Sequence, residues 1–163
     1  MYKEPFSVLM AEDNEHDIIA TRRAWKKNHI SNPLYIVNDG EECLDFLYRR
    51  GRYKNGDPPT QPGLLLLDIH MPKMDGLSVL KYIRNDGHLR RLPVVLLTTS
   101  EMEEERLGRY SLGANAFIVK PVGFENFSEA VRTISFFWQL VELLEVESWY
   151  QKSSMTVSSP VYG

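Results

Sequence analysis

The apolar run Leu64-Leu65-Leu66-Leu67, which ends in Asp68, constrains the fold more than any other feature of the sequence. Turn-forming residues stand on both sides of it, Pro62-Gly63 before and Met71-Pro72-Lys73-Met74-Asp75-Gly76 after. Such a short run predicts a strand that is buried on both faces, as in a parallel sheet covered by helices. Ligands bind at the carboxyl ends of strands in these sheets, so Asp68 is a candidate functional residue. An aspartate that only caps a turn is the alternative.

Three further apolar runs also end in polar residues. If all the strands are parallel, two more acids, a hydroxyl and an ammonium meet Asp68 at one edge of the sheet. The runs and the residues that follow them are Phe6–Ala11 with Glu12-Asp13, Pro93–Leu97 with Thr98, and Ala116–Val119 with Lys120.

Helical patterns alternate with these strands, and a further strand is predicted at Leu34–Val37. This alternation implies a five-stranded parallel, doubly wound α/β sheet, because crossover connections are nearly always right-handed. The polar segment Gly51–Gly63 predicts an exposed loop. We expect one domain over residues 1–147, including an extended fifth helix, and a flexible Ser-rich tail over residues 148–163. The predicted helices are Glu15–Lys27, Gly40–Arg50, Gly76–Asn85, Glu101–Leu112 and a fifth that begins near Phe124.

The composition excludes several classes of protein. A chain of 163 residues with 43% hydrophobic content can bury one sizeable core. Its net charge of −3 gives no sign of nucleic-acid binding, and no apolar stretch is long enough for a membrane span. The single cysteine, Cys43, cannot form an internal disulfide and is predicted to be a buried thiol in a reducing compartment. We therefore expect a soluble, cytoplasmic protein.

The motifs at the strand ends, taken together, resemble the receiver domain of two-component response regulators over residues 6–135. Thr98 follows Asp68 by 30 positions and Lys120 follows Thr98 by 22, as is usual in that family. The resemblance implies a flavodoxin-like strand order of 2-1-3-4-5 and phosphorylation by a sensor histidine kinase. The insertion at Gly51–Gly63 and the aromatic C-terminal extension further resemble stand-alone receivers of phytochrome-type kinases, especially in cyanobacteria. The motifs are Glu12-Asp13, Asp68 with Met71-Pro72 and Asp75-Gly76, Thr98, and Lys120-Pro121.

The acids predict a metal site. Carboxylates of Glu12, Asp13 and Asp68 at one edge repel one another, and Mg²⁺, which prefers oxygen ligands, relieves that repulsion. We expect Asp13 and Asp68 to bind Mg²⁺ directly and Glu12 to act through water. The resemblance adds the backbone carbonyl of His70 as a ligand, whereas its imidazole is predicted to be exposed. The alternative for the acids from Glu12 to Asp17 is a solvated helix N-terminus.

Asp68 is predicted to act as a carboxylate nucleophile that forms an aspartyl phosphate, with Mg²⁺ and Lys120 stabilising the phosphoryl oxygens. Lys120 could otherwise be an ordinary surface lysine. Thr98 can donate to the phosphoryl group, and the resemblance makes Phe117 the aromatic residue that turns inward after it. A phenylalanine that stays in the core is the competing interpretation. The prediction is a phosphoacceptor with slow self-dephosphorylation, not an enzyme with turnover.

Three positions depart from the family pattern. His70 stands where Asn is common, Ser100 where larger polar residues are frequent, and Glu12 where Asp is often found. The first two flank the path of the hydrolytic water in family members, so they leave open the lifetime of the phosphorylated state.

The fifth helix predicts a protein contact, because its apolar surface is wider than one core-facing stripe needs. We expect a homodimer through this surface, with an unidentified downstream protein; folding of the extension back onto its own domain is the alternative. The residues concerned are Phe136, Phe137, Leu140 and Leu143.

Two other classes share parts of the pattern. A flavodoxin-like cofactor-binding protein needs a phosphate-binding loop after the first strand, where Glu12-Asp13-Asn14-Glu15 would repel a phosphate. An Asp-nucleophile phosphohydrolase usually carries its nucleophile on the first strand with a second Asp two residues later. Here Asp68 is on the third strand, and His70 takes the second position.

Overall fold

The computed structural model describes residues 6–56, 61–99, 113–120, 126 and 128–134. Several predicted features lie outside these residues, so their predictions stay untested. They are the helix Glu101–Leu112, Ser100, Pro121, the start of the fifth helix near Phe124, the apolar positions Phe136, Phe137, Leu140 and Leu143, and the tail over residues 148–163.

Five parallel strands form one sheet in the order β2-β1-β3-β4-β5, which confirms the predicted doubly wound α/β fold. The register places Ala11 beside Leu67 and Asp68 beside Leu97, so the strands end at a common edge. The strands are β1 (Val8–Ala11), β2 (Leu34–Val37), β3 (Leu64–Asp68), β4 (Val94–Thr98) and β5 (Ala116–Val119).

Each described strand-to-helix turn at this edge carries an N-cap side chain. The caps are Asn14 before α1 (Glu15–Lys27), Asp39 before α2 (Gly40–Tyr48) and Asp75 before α3 (Gly76–Asn85). Each accepts from the backbone N–H three residues later, at 2.7–3.1 Å, which satisfies a donor that the helix leaves unpaired. Residues 128–134 are also helical. The predicted bounds of α1 and α3 are correct, whereas α2 ends before Arg49, which adopts the left-handed conformation with φ 58°.

The central strands β1, β3 and β4 are buried on both faces, as the four-leucine run predicts for β3. Leu65 and Leu67 pack into the core beneath α2 and α3, whereas Leu64 and Leu66 pack into a second core with Trp25 of α1. Alternate residues of a strand face opposite sides, so an unbroken apolar run supplies both cores at once. No helix in the described part of the chain is long and apolar enough to cross a membrane.

The prediction of an exposed loop over Gly51–Gly63 is wrong for Pro62, which is buried, and for Tyr53. This residue lies in a 3-10 turn over Gly51–Tyr53 and is only 7% exposed. Its ring is 4.9 Å from that of Phe46, and its hydroxyl donates to Oε1 of Glu42 at 2.7 Å. The aromatic ring is buried because α2 offers both an apolar neighbour for the ring and an acceptor for the hydroxyl.

Candidate functional site at the carboxyl edge of the sheet

The ends of four strands bring the predicted site residues together. Glu12 follows β1, Asp68 ends β3, Thr98 ends β4 and Lys120 follows β5. The first three are almost fully buried. The backbone N–H of Lys120 donates to the carbonyl oxygen of Thr98 at 2.6 Å, which fixes the start of the Lys120 side chain beside β4.

Lys120 is the centre of this cluster. Its Nζ lies 2.6 Å from Oε2 of Glu12, 3.0 Å from Oδ2 of Asp17 and 3.2 Å from Oδ2 of Asp68. The side chain is 9% exposed, so Lys120 is not a surface lysine. One ammonium therefore offsets part of the negative charge of three carboxylates.

The pKa values of Glu12 and Lys120 reflect their burial. Burial raises the pKa of Glu12 to about 7; the hydrogen bond from Lys120 opposes this shift and the charge of Asp68 adds to it. Burial alone would lower the pKa of Lys120. The hydrogen bond to Glu12 and the charges of Asp68 and Glu12 outweigh that effect and hold the Lys120 pKa above its ordinary value. Lys120 is therefore a permanent cation at physiological pH.

Glu12, Asp13 and Asp68 together offer the oxygen ligands that a hard divalent cation prefers. One oxygen each from Glu12, Asp13 and Asp68 lies within 4.8 Å of the others. Asp13 is exposed, and the other two are buried. An exposed acid beside a buried one fits Mg²⁺, which binds through one or two carboxylates and keeps several waters. His70 is exposed, as predicted, and its backbone N–H donates to Oδ1 of Asp68 at 3.4 Å.

Gly76 explains the turn sequence that follows Asp68. A Cβ at position 76 would lie 2.2 Å from the carbonyl oxygen of Asp68, a distance at which backbone must shift. The backbone N–H of Gly76 also donates to the carbonyl of Ile69 at 2.8 Å. Only glycine lets the N-terminus of α3 approach the end of β3 so closely.

Asp17 belongs to this cluster but was not predicted from the sequence, where it was named only in the alternative of a solvated helix N-terminus. Asp17 is the third residue of α1 after the cap Asn14. Helical side chains lean toward the N-terminus of their helix, so an acid in the first turn reaches back toward the end of the preceding strand. This direction could have placed Asp17 near the site from the sequence, but it does not say which cation the carboxylate contacts.

Phe117 lies on β5 beside Leu96. It is half-buried and packs against the core on the side of α2 and α3. This position is compatible with both interpretations of Phe117, a permanent core residue and one that moves.

The fold and the site define a phosphoacceptor of the two-component class. The chain belongs to the response regulator receiver domain family, whose model matches residues 8–132. It is a signalling protein, and the flavodoxin-like cofactor-binding and phosphohydrolase alternatives are not supported. Receiver domains of this family bind Mg²⁺ through acidic residues such as those clustered here.

The similar proteins include response regulators of about the same length. Response regulator Rcp1 of Synechocystis sp. is 34% identical over 134 residues, which cover 82% of this chain and 89% of Rcp1. A crystal structure of its Mn²⁺-bound form matches with a TM-score of 0.72 over 82% of this chain and 94% of that one.

Two further solved structures are similar. The phosphorylated cyanobacterial phytochrome response regulator RcpA is 33% identical and has a TM-score of 0.74 over 83% of this chain and 94% of RcpA. Response regulator RPA3017, in red light signaling of R. palustris, is 37% identical and has a TM-score of 0.75 over 82% and 93% of the two chains.

Proposed function

We propose that this receiver accepts a phosphoryl group on Asp68 from a phytochrome-type histidine kinase. Mg²⁺ would be held directly by Asp13, Asp68 and the His70 carbonyl and through water by Glu12. The observation that carries the proposal is the environment of Asp68, a buried carboxylate with an ammonium 3.2 Å away and two more acids beside it. A buried carboxylate in this setting can act as a nucleophile. The ammonium beside it stabilises the charge of the phosphoryl group that it accepts.

The transfer is a displacement at phosphorus. A carboxylate oxygen of Asp68 forms a bond to phosphorus while the bond from phosphorus to the histidine nitrogen, or to the oxygen of an acyl phosphate, breaks. The electron pair of that bond leaves with the imidazole or the carboxylate. Bound Mg²⁺ supplies positive charge to the phosphoryl oxygens.

The residues of the chain divide the remaining work. The His70 N–H and the Lys120 ammonium lie on different oxygens of Asp68, at 3.4 Å from Oδ1 and 3.2 Å from Oδ2. This arrangement fixes the rotation of the carboxylate before the donor arrives, which lowers the entropy cost of the reaction. Lys120 then stabilises the phosphoryl oxygens.

The signal leaves through Thr98 and Phe117. The Thr98 hydroxyl donates to a phosphoryl oxygen and moves toward it. Phe117, whose strand neighbour Leu96 precedes Thr98 by two residues, turns into the space that Thr98 leaves. The surface beyond β5 changes, and a protein partner reads that change.

The proposal of a phytochrome-type kinase is supported by the relatives, because RcpA is a phytochrome response regulator and RPA3017 acts in red light signaling. It predicts that phosphoryl transfer from a phytochrome-type kinase is faster than transfer from a histidine kinase of another class. Equal transfer rates from both kinases would contradict it.

The test of the site is intact-mass measurement after incubation with acetyl phosphate and Mg²⁺. We expect one added phosphoryl group in the wild type and none in Asp68→Asn. Asp13→Ala, or chelation of Mg²⁺, should block labelling while the fold stays intact. Glu41→Gln, which removes an exposed acid of α2, is the matched control and should be labelled like the wild type. Labelling that survives in Asp68→Asn, or that is equal with and without metal, would refute the assignment.

A further inference from the structure

We propose that Asp17 is a positioning residue that holds Lys120 in the unphosphorylated site and competes with the incoming phosphoryl group for its ammonium. The inference rests on the proposed phosphorylation of Asp68. It adds a brake to the site, because binding of Lys120 to the phosphoryl group on Asp68 weakens its hydrogen bond to Asp17.

The Lys120 ammonium is already surrounded by carboxylates before phosphorylation. An ammonium has three N–H donors. Three carboxylates surround it, Glu12, Asp17 and Asp68, all at 2.6–3.2 Å. Its hydrogen bonds go to Glu12 and Asp17, whereas Asp68 is held as an ion pair. A phosphoryl oxygen on Asp68 therefore draws the ammonium away from these two hydrogen-bonded carboxylates.

The carboxylates around Lys120 differ in their access to water, which determines which of them can release the ammonium. Glu12 is fully buried, and its other oxygen accepts from the backbone N–H of Asn14 at 3.1 Å, so water cannot replace the ammonium there. The side chain of Asp17 is 33% exposed, so water can replace the ammonium there. Asp68 carries the phosphoryl group itself. Asp17 is the acid that gives up Lys120 at the lowest cost.

The backbone of Asp17 is held in place by hydrogen bonds within α1. Its backbone N–H donates to the Asn14 cap at 3.1 Å, and its carbonyl accepts from the Thr21 hydroxyl at 2.7 Å. The carboxylate therefore stays at the first turn of α1 when Lys120 leaves. Phosphorylation of Asp68 thus frees a negative charge at the N-terminus of α1, where the helix dipole stabilises it.

The test compares the labelling rate of Asp17→Asn with that of the wild type, using acetyl phosphate and Mg²⁺. The substitution keeps the shape and weakens the hold on Lys120, so labelling of Asp68 should be about fivefold faster, the factor for a partly exposed ion pair of about 1 kcal/mol. Glu15→Gln removes the same charge from an exposed position on the same turn and should leave the rate unchanged.

A second background separates competition for Lys120 from general charge repulsion. In Lys120→Met the added substitution Asp17→Asn should give no acceleration, because the ammonium is gone. Thermal unfolding without phosphodonor gives an independent measurement: Asp17→Asn should lower the Tm in the wild-type background and leave it unchanged in Lys120→Met.

The outcomes are distinct. Absence of labelling in both the wild type and Asp17→Asn would refute the proposed function. Labelling of Asp68 at an equal or lower rate in Asp17→Asn would overturn the competition and leave the phosphoacceptor role standing. An acceleration or a loss of Tm that persists in Lys120→Met would also overturn it, because Asp17 would then act through its charge alone.

Discussion

Tyr53 is the described residue whose environment differs most from the sequence expectation. Burial, followed by its hydrogen bond to Glu42, raises the pKa of its hydroxyl to about 12 from an ordinary value of 10.0. Arg52 also pairs with Glu42, so the acid has a positive partner besides the hydroxyl. These contacts of Tyr53 and Arg52 with Glu42 attach the segment after α2 to that helix.

This environment predicts a pH-dependent stability. Between pH 10 and pH 12 the native state keeps the Tyr53 proton that the unfolded state loses. Its contribution is therefore complete below pH 10 and is lost as the pH rises toward 12. Tyr53→Phe should be less stable than the wild type by about 1 kcal/mol at neutral pH, because Glu42 loses a donor.

Urea unfolding of the wild type and Tyr53→Phe across this pH range measures the difference. The gap between the two should close as the pH approaches 12. Tyr82→Phe, at a position 53% exposed, is the control and should track the wild type throughout. A gap that stays constant with pH would show that the hydroxyl keeps no proton in the native state that the unfolded state loses.

At the scale of elements, the site depends on how α3 begins. Asp75 caps the helix, and Gly76 lets its first turn contact the backbone of Asp68. The opening of α2 is similarly tight, since a Cβ on Gly40 would lie 2.2 Å from the carbonyl oxygen of Met74. The segment between β3 and α3 is thus held between two helix starts, which fixes the backbone around Asp68 and His70.

Gly76→Ala is expected to disturb this contact. The new methyl group must displace backbone, so we expect a loss of about 1–3 kcal/mol in the free energy of unfolding, as for overpacking in a core. Phosphorylation of Asp68 should slow as well, because the shift reaches its backbone. Urea unfolding and intact-mass labelling measure the two effects.

Gly87→Ala is the matched control for this substitution. A Cβ at position 87 has no neighbour within 4 Å. The change should therefore alter stability by no more than about 0.5 kcal/mol, as is usual at surface sites. Equal stabilities for the two variants would mean that α3 tolerates a larger residue beside Asp68.

At the scale of the whole molecule, two cores share one sheet. One lies between the sheet and helices α2 and α3; the other lies on the face of Trp25 and Ile134. The Asn28 side chain at the end of α1 donates to the carbonyl and hydroxyl oxygens of Ser128 at 3.1 Å, which ties α1 to the helical residues 128–134. The sequence beyond this helical segment continues with Phe136, Phe137, Leu140 and Leu143.

We expect this apolar sequence to form a symmetric homodimer. A two-fold contact buries the same patch from both chains, and a standard interface of about 1,600 Å² needs only about 20–30 residues a side. The unphosphorylated protein should dimerise at micromolar concentration, and Phe137→Asp or Leu140→Asp should give monomers that are still phosphorylated at Asp68. Light scattering measures the mass.

Gln139→Asp adds the same charge at a polar position of the same predicted helix and serves as the control. It should remain dimeric. A monomer before and after phosphorylation, across the micromolar range, would refute the dimer.

The sequence alone determined the elements and the edge at which they meet. Unbroken apolar runs such as Leu64–Leu67 specify strands buried on both faces, and turn-forming residues such as Asp75-Gly76 mark where a helix starts. Both signals are local, because they depend on side-chain periodicity and on hydrogen bonds over three residues. The polar residues at the strand ends followed from the same reasoning, which is why Asp68 and Lys120 could be named in advance.

Only the tertiary structure decided the partners within that edge. Lys120 and Asp17 are separated by 103 positions, and no local pattern says that this acid, rather than Asp13, contacts the ammonium. Tyr53 stands in a polar segment, and its burial depends on the surface that α2 presents. Side-chain periodicity fixes the direction of a residue relative to its own element, whereas distances between elements arise only when the sheet and helices pack together.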